Sequence, residues 1–333
     1  MNTNQETLID HLLDIGKNTI ARSLWKIRRE VTTGRAGQPV QTSADKFAAG
    51  DPTTFVDIET EKGILEYLES KLQAELQLPC IISTEEEGII RFLAFGEPSE
   101  IDLVVFVDPV DFTESVVRGL DGSSLITFYS IRSGTILAAV VGDVRDQKVY
   151  FASESCDGAY SQFVEHVIPP ENATLERIPD DYQYRFIGDC KQLRPSTLKD
   201  LSKAHINCLL NKPERMESLL KRKRLVEAME EGGRFYVVGG SLGLARVAAG
   251  ILDGAVEFAK GFREWDAWPG IYICKKAGVF VRDLRGNQIN CNLKTTSSEV
   301  RGRLEHPERQ PFIATGSVAL GQTLVAMKLY EEG

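Results

Sequence analysis

The chain has 333 residues, of which 42% are hydrophobic and 26% are charged, and it carries a formal net charge of −9. These fractions are typical of a globular protein with one large core or two smaller ones, and they exclude a disordered or fibrous chain. The negative charge argues against nucleic acid or an anionic membrane as the main partner, because both require a basic surface.

The cysteines and the N-terminal segment indicate the compartment. Six cysteines are present without a C-x-x-C pair, which is typical of reduced thiols rather than of a disulfide framework. The first segment lacks the apolar centre of a signal peptide, and no apolar run reaches the roughly 20 residues that span a bilayer. We therefore expect a cytoplasmic protein with neither a membrane partner nor a nucleic-acid partner.

The first half of the sequence predicts two helices followed by a sheet. Apolar residues recur at helical spacing over Glu6–Arg29 and again over Phe55–Leu76. The segment after Pro79 predicts a short strand that runs into three acids, Glu85–Glu87. Four β-rich runs between residues 101 and 155, separated by glycine or charged turns, predict an antiparallel meander.

The second half predicts helices that alternate with short strands. A strand is expected over residues 184–190, a highly charged helix over 212–234, and a strand, a Gly-rich turn and a helix within 235–258. Helix and strand pairs are also expected over 268–286 and 311–332. A polar, proline-containing segment between Glu165 and Asp181 marks a soft boundary. We divide the chain there, into an α+β half of residues 1–175 and an α/β half of residues 176–333.

Two aspartates at the end of an apolar strand raise the question of function. The stretch VVFVDPVDFT places Asp108 and Asp111 three positions apart, and Pro109 favours a turn that could direct both carboxylates to one point. Two such anions repel each other unless a cation lies between them. Mg²⁺ prefers oxygen ligands, and the carbonyl of Val110 would add one. The alternative is an ordinary turn in which Asp111 caps the following helix.

Further acids occupy comparable positions, each with a structural explanation of its own. Glu85 follows a predicted strand, where an acidic turn exposed to solvent is common; Asp57 and Asp266 stand at predicted helix starts, where acids are favoured by the helix dipole and by capping. None of the four histidines lies in an H-E-x-x-H motif, and G-x-S-x-G is absent. GGSLGLA matches no phosphate-loop motif and predicts a tight turn with Ser241 near an N-cap.

Five segments in one order resemble the inositol monophosphatase family, part of the metal-dependent, lithium-sensitive phosphatases that include fructose-1,6-bisphosphatases. The D-P-(I/L/V)-D-(G/S)-(T/S) signature stands here as Asp108–Thr113, and W-D-x-x-(A/P)-G stands as Trp265–Gly270. An E-E pair stands at Glu85–Glu86, T-x-x-D at Thr54–Asp57, and residues 239–258 resemble the helix that leads into the W-D motif.

The resemblance covers roughly residues 51–277 and implies a fold. It implies an α/β (α+β) protein with a layered αβαβα sandwich, in which the first half forms an antiparallel sheet. The second half would form a second, mixed sheet with helices, and the active site would lie where the halves meet.

The resemblance also implies a metal centre. Two or three Mg²⁺ ions, with Mn²⁺ as a substitute, would be bound by Glu85, Asp108, the carbonyl of Val110, Asp111 and Asp266. The acidic run leaves open a shift of the first ligand to Glu86.

Catalytic and substrate positions follow from the same resemblance. Glu85, Thr113 and Asp57 would act on a water that attacks phosphorus, with two ions stabilising the entering and leaving oxygens. The positions expected to face the substrate are Phe112, Thr113, Gly240, Ser241, Glu257 and Lys260.

This sequence departs from the family pattern at three points. Phe112 stands where a small residue is usual. The substrate-binding glutamate expected seven positions before Asp266 falls on Ala259 beside Lys260, or on Glu257 if a two-residue insertion follows. The interval between the two signatures is long, with the extra length expected around residues 165–232. A substrate with a second anionic group could prefer Lys260 and Arg263.

The sequence therefore predicts a Mg²⁺-dependent phosphomonoesterase, a homodimer, that hydrolyses a small polyol or sugar phosphate. Fructose-1,6-bisphosphatase or 3′-phosphonucleotide phosphatase activity is an alternative within the same class. A non-catalytic scaffold or regulator is an alternative outside it, and Phe112 motivates that alternative.

Overall fold

Two β-sheets separated by a pair of helices organise the chain. The computed structural model describes residues 3–39, 53–84, 90–93, 101–166, 184–210, 212–293 and 308–331. Within these ranges, no helix combines the length and apolar character that crossing a membrane would require.

The helices of the described residues fall into three groups along the chain. The N-terminal pair precedes the first sheet, a four-residue helix follows its third strand, and the others accompany the second sheet. Their bounds are α1 (Thr3–Thr32), α2 (Phe55–Leu68), α3 (Thr113–Val116), α4 (Pro213–Lys221), α5 (Lys223–Ala228), α6 (Gly240–Ala248), α7 (Glu264–Lys276) and α8 (Val318–Ala326).

The first sheet has eight described strands in the order β2-β1-β3-β4-β5-β6-β7-β8. β1 pairs with β3 in parallel, and the other neighbours pair antiparallel. Their bounds are β1 (Cys80–Thr84), β2 (Ile90–Leu93), β3 (Leu103–Asp111), β4 (Ser123–Ser130), β5 (Thr135–Asp143), β6 (Lys148–Ser153), β7 (Ala159–His166) and β8 (Tyr184–Gln192).

The second sheet is mixed and has five described strands in the order β10-β9-β11-β13-β12. β9 pairs in parallel with β10 and β11, whereas β13 pairs antiparallel with β11 and β12. Their bounds are β9 (His205–Cys208), β10 (Arg234–Tyr236), β11 (Gly254–Phe262), β12 (Phe280–Arg282) and β13 (Gln310–Thr315).

Packing between these elements produces five layers. α1 and α2 cover one face of the first sheet, and their core includes Ile20 and Leu24 together with Phe128 and Val140 of the sheet. α6 and α7 lie between the two sheets, and α4, α5 and α8 cover the outer face of the second sheet. Because the central strands of the first sheet are covered on both faces, β3 and β4 are buried along nearly their whole length rather than on alternate residues.

The predicted fold class is confirmed, with its layered sandwich, its largely antiparallel first sheet and its mixed second sheet. The charged helix predicted over 212–234 is divided in two, because Arg222 leaves helical geometry with φ −91° and ψ 62°. Its guanidinium turns inward and donates to the carbonyls of Leu329 and Phe258, at 2.9 and 3.0 Å. The helix predicted over Phe55–Leu76 changes after Leu68 into a π-helical segment, Glu69–Glu75.

The first sheet extends further along the chain than the predicted boundary. β8 follows residue 175 and pairs with β7, so the sheet includes residues up to Gln192. The division at residue 175 stays a prediction. The acids Glu85–Glu87 lie outside the described residues.

Candidate active site

The carboxyl end of β3 meets the first turns of α2, α6 and α7. Asp108 is 1% exposed, and its Oδ1 accepts a hydrogen bond from the Val110 amide at 3.1 Å. The pairing of β3 with β4 shifts register between Asp108 and Asp111, on either side of Pro109. Since proline supplies no N–H to the ladder, the irregularity falls at this residue and re-aims the strand end.

A threonine and an aspartate join α2 to this strand end. The Thr113 hydroxyl lies 2.9 Å from Oδ1 of Asp57 and 2.8 Å from the carbonyl oxygen of Val110. The other carboxylate oxygen of Asp57 accepts from the Thr54 amide at 2.7 Å and from the Thr54 hydroxyl at 2.8 Å. Asp57 therefore caps α2 and at the same time orients Thr113. Burial raises the pKa of Asp57, and the hydrogen bonds from Thr54 and Thr113 oppose that shift.

Phe112 adopts a left-handed backbone conformation, with φ 67° and ψ 43°. This conformation suits glycine and is rare for a bulky residue. Phe112 is half-buried, and its Cβ would lie 3.0 Å from a Cβ placed on Gly239. The structure thus accommodates the aromatic ring at the position where the family pattern has a small residue, with the backbone still in the conformation that a glycine would favour.

The start of α6 brings the two halves of the site together. A Cβ on Gly239 would lie 2.8 Å from Oδ2 of Asp111, and one on Gly240 would lie 3.2 Å from the backbone oxygen of Asp266. The Ser241 hydroxyl donates to that same oxygen of Asp266 and accepts from the Gly270 amide at 3.0 Å. α6 therefore holds the end of β3 and the first turn of α7 at fixed positions on either side of it.

Asp111 and Asp266 both lie against the start of α6, and the charge of Asp266 acts on Asp111. Each is partly accessible to solvent, unlike Asp108. Burial raises the pKa of Asp111, and the negative charge of Asp266 raises it further, whereas a 3.0 Å hydrogen bond from Ser123 lowers it. Burial also raises the pKa of Asp266, against the opposing effects of Arg263 and of the Arg263 amide, which donates to its Oδ2 at 3.2 Å.

These residues fit a small divalent cation. Within the described ranges, His, Cys, Asp and Glu side chains do not form a cluster of three or more suited to a metal ion. Asp111 and Asp266 nevertheless offer carboxylate oxygens whose ionised state is disfavoured by burial at both residues and, at Asp111, also by the charge of Asp266. A cation such as Mg²⁺ between them would remove both penalties. Glu85 and Glu86 lie outside the described residues.

The predicted substrate positions divide into two sets. Phe112, Thr113 and Gly240 lie at the site, and Ser241 lies there with its hydroxyl engaged by backbone groups. Glu257 and Lys260 lie on β11 and bond elsewhere.

Glu257 is 2% exposed, and its carboxylate accepts hydrogen bonds from the backbone amides of residues that follow it and from an arginine. Its Oε1 accepts from the amides of Ala259, Lys260 and Gly261, at 2.9, 3.0 and 3.1 Å. Its Oε2 accepts from Nη1 of Arg215 at 3.2 Å. Lys260 is exposed, and its Nζ lies 3.5 Å from Oε1 of Glu214.

Some site residues carried no sequence signal. Arg215 belongs to a charged helix whose pattern indicates a solvent-facing surface, yet its charge lowers the pKa of both Asp111 and Asp266. Ser123 and Gly239 were not predicted at the site either. Their distance in sequence from the two signatures does not reveal them. Ser123 reaches Asp111 because β3 pairs with β4, and Gly239 reaches it because the start of α6 packs there.

Comparisons with known proteins agree with this architecture. The model of the inositol monophosphatase family matches residues 9–322. A curated relative, the fructose-1,6-bisphosphatase/inositol-1-monophosphatase of Thermococcus kodakarensis, is 26% identical over 288 residues, which cover 85% of this chain and 88% of the relative.

Two solved structures show the same fold. The extragenic suppressor protein SuhB of Bartonella henselae superposes with a TM-score of 0.64 at 20% identity, covering 95% of this chain and 98% of that chain. The inositol monophosphate-bound structure of SaIMPase-II superposes with a TM-score of 0.60 at 17% identity, covering 96% of this chain and 95% of that chain. Since the family model spans nearly the whole sequence, the chain belongs to the inositol monophosphatase family, whose members are phosphatases.

Proposed function

We propose that this protein is a Mg²⁺-dependent phosphoric monoester hydrolase that acts on a small polyol or sugar phosphate. The observation that carries the proposal is that Asp111, at the end of β3, and Asp266, in the first turn of α7, pack against two adjacent glycines, Gly239 and Gly240, at the start of α6. Family membership supports phosphatase activity, and the inositol monophosphate bound to SaIMPase-II supports a small phosphorylated substrate.

The metal ligands in this proposal are oxygen atoms from both halves of the chain. Two or three Mg²⁺ ions, or Mn²⁺ in their place, would be held by Glu85, Asp108, the Val110 carbonyl, Asp111 and Asp266. Bound ions of this kind polarise the phosphoryl group and make water a stronger nucleophile at neutral pH.

Thr113 and Asp57 orient the attacking water. A threonine hydroxyl carries a single proton, so donation to ionised Asp57 leaves the Thr113 lone pairs available to accept a hydrogen bond from water. Thr54 keeps Asp57 in place from the opposite side with two short contacts, at 2.7 and 2.8 Å. Glu85 would accept the other hydrogen bond of the same water and take up its proton during the attack. Attack at phosphorus breaks the ester P–O bond, and the products are an alcohol and inorganic phosphate.

The substrate would lie against Phe112, Thr113 and the first turn of α6. Gly239 and Gly240 have no side chain there, so the backbone of α6 approaches Asp111 and Asp266 closely. The Phe112 ring, next to the phosphate position, would restrict the shape of the group that the phosphate esterifies.

Replacement of Asp111 tests the proposal. Asp111→Asn keeps the shape of the side chain and removes its charge, so we expect roughly a 100-fold or larger loss of Mg²⁺-dependent phosphate release from an aryl phosphate. Calorimetric titration should show a weaker Mg²⁺ affinity in the same variant. Asp189→Asn, an exposed aspartate on β8, is the matched control.

Two results would contradict the proposal. Wild-type turnover in Asp111→Asn would remove Asp111 from the reaction. Absence of Mg²⁺-dependent phosphate release by the wild-type protein, over a panel of phosphorylated metabolites, would favour a scaffold or regulator. The predicted homodimer and cytoplasmic location stay predictions, and sedimentation analysis would test the first of them.

A further inference from the structure

Glu30 is a fully buried glutamate that belongs to none of the five segments that resemble the family. It lies near the end of α1, and its side chain is 0% exposed. Its Oε1 accepts hydrogen bonds from Nε of Arg29 and from Nη2 of Arg35, both at 3.1 Å, and Arg35 Nη2 also lies 2.9 Å from its Oε2. A buried ion pair is often no more stabilising than two apolar side chains of the same volume. Stability alone therefore does not explain why this carboxylate is buried beside two arginines.

Glu30 also fixes the segment that follows α1. Its carbonyl oxygen accepts hydrogen bonds from the amides of Arg35 and Ala36, at 3.1 and 3.2 Å, and from the Thr33 hydroxyl at 3.1 Å. We call residues 33–39 the post-α1 loop. The carbonyl of Glu30 therefore binds this loop through its backbone, and the carboxylate binds it through the guanidinium of Arg35.

The post-α1 loop holds the beginning of α2. The first N–H groups of a helix have no partner within the helix itself. Backbone carbonyls of the loop accept two of these N–H groups, in the pairs Gln38–Phe55 at 2.8 Å and Ala36–Val56 at 3.2 Å. Arg35 adds a contact with the same turn, since its guanidinium carbon lies 5.3 Å from the centre of the Phe55 ring. The first turn of α2, which contains Asp57, is therefore anchored to the loop that Glu30 holds.

The post-α1 loop also packs against the end of β3. Ala36 is buried in one apolar cluster with Val56 of α2 and Val110 of β3. The Thr113 hydroxyl lies 2.8 Å from the carbonyl oxygen of Val110 and 2.9 Å from Oδ1 of Asp57. The loop therefore contacts both segments that supply a hydrogen-bond acceptor near the Thr113 hydroxyl.

We propose that Glu30 and Arg35 are positioning residues, which fix the Thr113 hydroxyl in the geometry that orients the attacking water. This inference rests on the proposed phosphatase function and adds to it two residues that bind neither metal nor substrate. Their effect passes through the post-α1 loop to the first turn of α2 and to Val110, and from there to Thr113. A small displacement of the loop would lower the rate, since a shift of about 1 Å in a reacting group can cost up to about 100-fold.

The test measures kcat, KM and the Mg²⁺ dependence of turnover with an aryl phosphate. Arg35→Gln removes the charge of a side chain that is 43% exposed, so the variant should fold. We expect kcat to fall roughly tenfold, with KM and the Mg²⁺ concentration for half-maximal turnover changed less than about threefold. Glu30→Gln should give the same pattern, and Arg35→Lys should recover part of kcat. Arg28→Gln, at an exposed arginine of α1, is the matched control and should leave kcat unchanged.

A double-mutant cycle separates positioning from a general structural role. Thr113→Val removes the hydroxyl, so a residue that acts only through Thr113 has nothing left to position in that background. Arg35→Gln should therefore lower kcat less than about twofold in Thr113→Val, compared with roughly tenfold in the wild-type background. A general loss of structure would lower kcat by the same factor in both backgrounds. If Glu30→Gln does not fold, the cycle with Arg35→Gln decides the question.

The outcomes distinguish this inference from the phosphatase proposal. Wild-type kcat in Arg35→Gln, or the same factor of loss in the wild-type and Thr113→Val backgrounds, would overturn the positioning role and leave the phosphatase proposal intact. Absence of Mg²⁺-dependent phosphate release by the wild-type protein, from the aryl phosphate and from every phosphorylated metabolite of the panel, would overturn both.

Discussion

The negative charge of Asp266 raises the pKa of Asp111, although the two residues belong to different halves of the chain. Burial adds to this effect at both carboxyls. Without a cation, folding therefore brings the carboxylates of Asp111 and Asp266 into a buried region, where their ionised forms are less stable than in the unfolded, solvated chain. The same carboxylate charges that would bind an ion therefore lower the free energy of unfolding of the metal-free protein, and this cost can be measured.

Asp111→Asn should stabilise the metal-free protein. Because the pKa of Asp111 is higher in the folded than in the unfolded chain, the folded state binds more protons, and the free energy of unfolding falls as pH rises above about 4. We expect Asp111→Asn in EDTA at pH 8 to raise the free energy of unfolding, on the order of 1 kcal/mol. The gain should vanish near pH 4, and Mg²⁺ should stabilise the wild-type protein more than the variant. The measurement is urea unfolding of the wild-type protein and of Asp111→Asn at several pH values. A difference in the free energy of unfolding that does not change with pH would contradict the prediction.

Ser123→Ala should shift the pH dependence of catalysis. The Ser123 hydroxyl donates to Asp111 at 3.0 Å and lowers its pKa, so its removal raises that pKa further. A proton then competes with Mg²⁺ up to a higher pH, and the acidic limb of the kcat/KM profile should move upward. Ser124→Ala is the control, because that neighbouring buried hydroxyl has no hydrogen-bond partner in the described part of the chain. Superimposable profiles for the three proteins would show that Ser123 does not tune Asp111.

Gly239→Ala should weaken metal binding. The added Cβ would lie 2.8 Å from Oδ2 of Asp111, closer than real Cβ atoms approach, so either the carboxylate or α6 must move. Because a displaced ligand typically weakens metal affinity, we expect roughly a tenfold loss of Mg²⁺ affinity, read from the Mg²⁺ dependence of turnover. Gly232→Ala adds a Cβ at an ordinary 3.5 Å contact and should leave the affinity unchanged.

Phe112 allows the cost of its backbone conformation to be measured. Phe112→Gly and Phe112→Ala both remove the ring, but only glycine tolerates φ 67° without strain. We expect the glycine variant to be more stable than the alanine variant by about 1 kcal/mol in urea unfolding. Equal stability would mean that the segment relaxes out of the left-handed conformation once the ring is gone.

Arg246 should be essential for joining α6 to the first sheet. Its guanidinium donates to Asp121 at 2.9 and 3.2 Å and to the fully buried Asp143 at 3.0 Å. Arg246→Met leaves the buried Asp143 without its guanidinium partner and Asp121 with only Arg145, 3.7 Å away, so we expect a loss of about 3–5 kcal/mol in the free energy of unfolding. Arg234→Met, at an exposed arginine, should change it by less than about 1 kcal/mol. A small effect at Arg246 would mean that water replaces the guanidinium.

The sequence was most informative where local patterns decide structure. Helical periodicity locates α1, and apolar runs between turns locate β3 to β6, because these elements are shaped by the layers that they face. β8 could be predicted as a strand but not as a member of the first sheet, since strand pairing across an intervening segment is non-local. The break at Arg222 depends on the carbonyls of Leu329 and Phe258, which no neighbouring residue reveals.

The site shows the same division. The two signatures point to Asp108, Asp111 and Asp266 by residue type alone, and the structure brings Asp111 and Asp266 together. The commitment of Glu257 to Arg215 could not be foreseen, because it joins β11 to a helix in the long interval between the signatures. Contacts made by residues of that interval help to decide which side chains are within reach of a substrate, and the signatures do not encode those contacts.

Asp57 and Asp266 each occupy the third position of a helix and accept a hydrogen bond from a backbone amide just before it. Each of these two acids therefore has a capping role that does not depend on hydrolysis, in addition to any role in the site. Asp111 lies at the end of β3 rather than in the first turn of a long helix, so it has no comparable second role. In a related protein that has lost catalysis, we expect Asp111 to be replaced first. The capping acids Asp57 and Asp266 would remain, although they would no longer indicate activity.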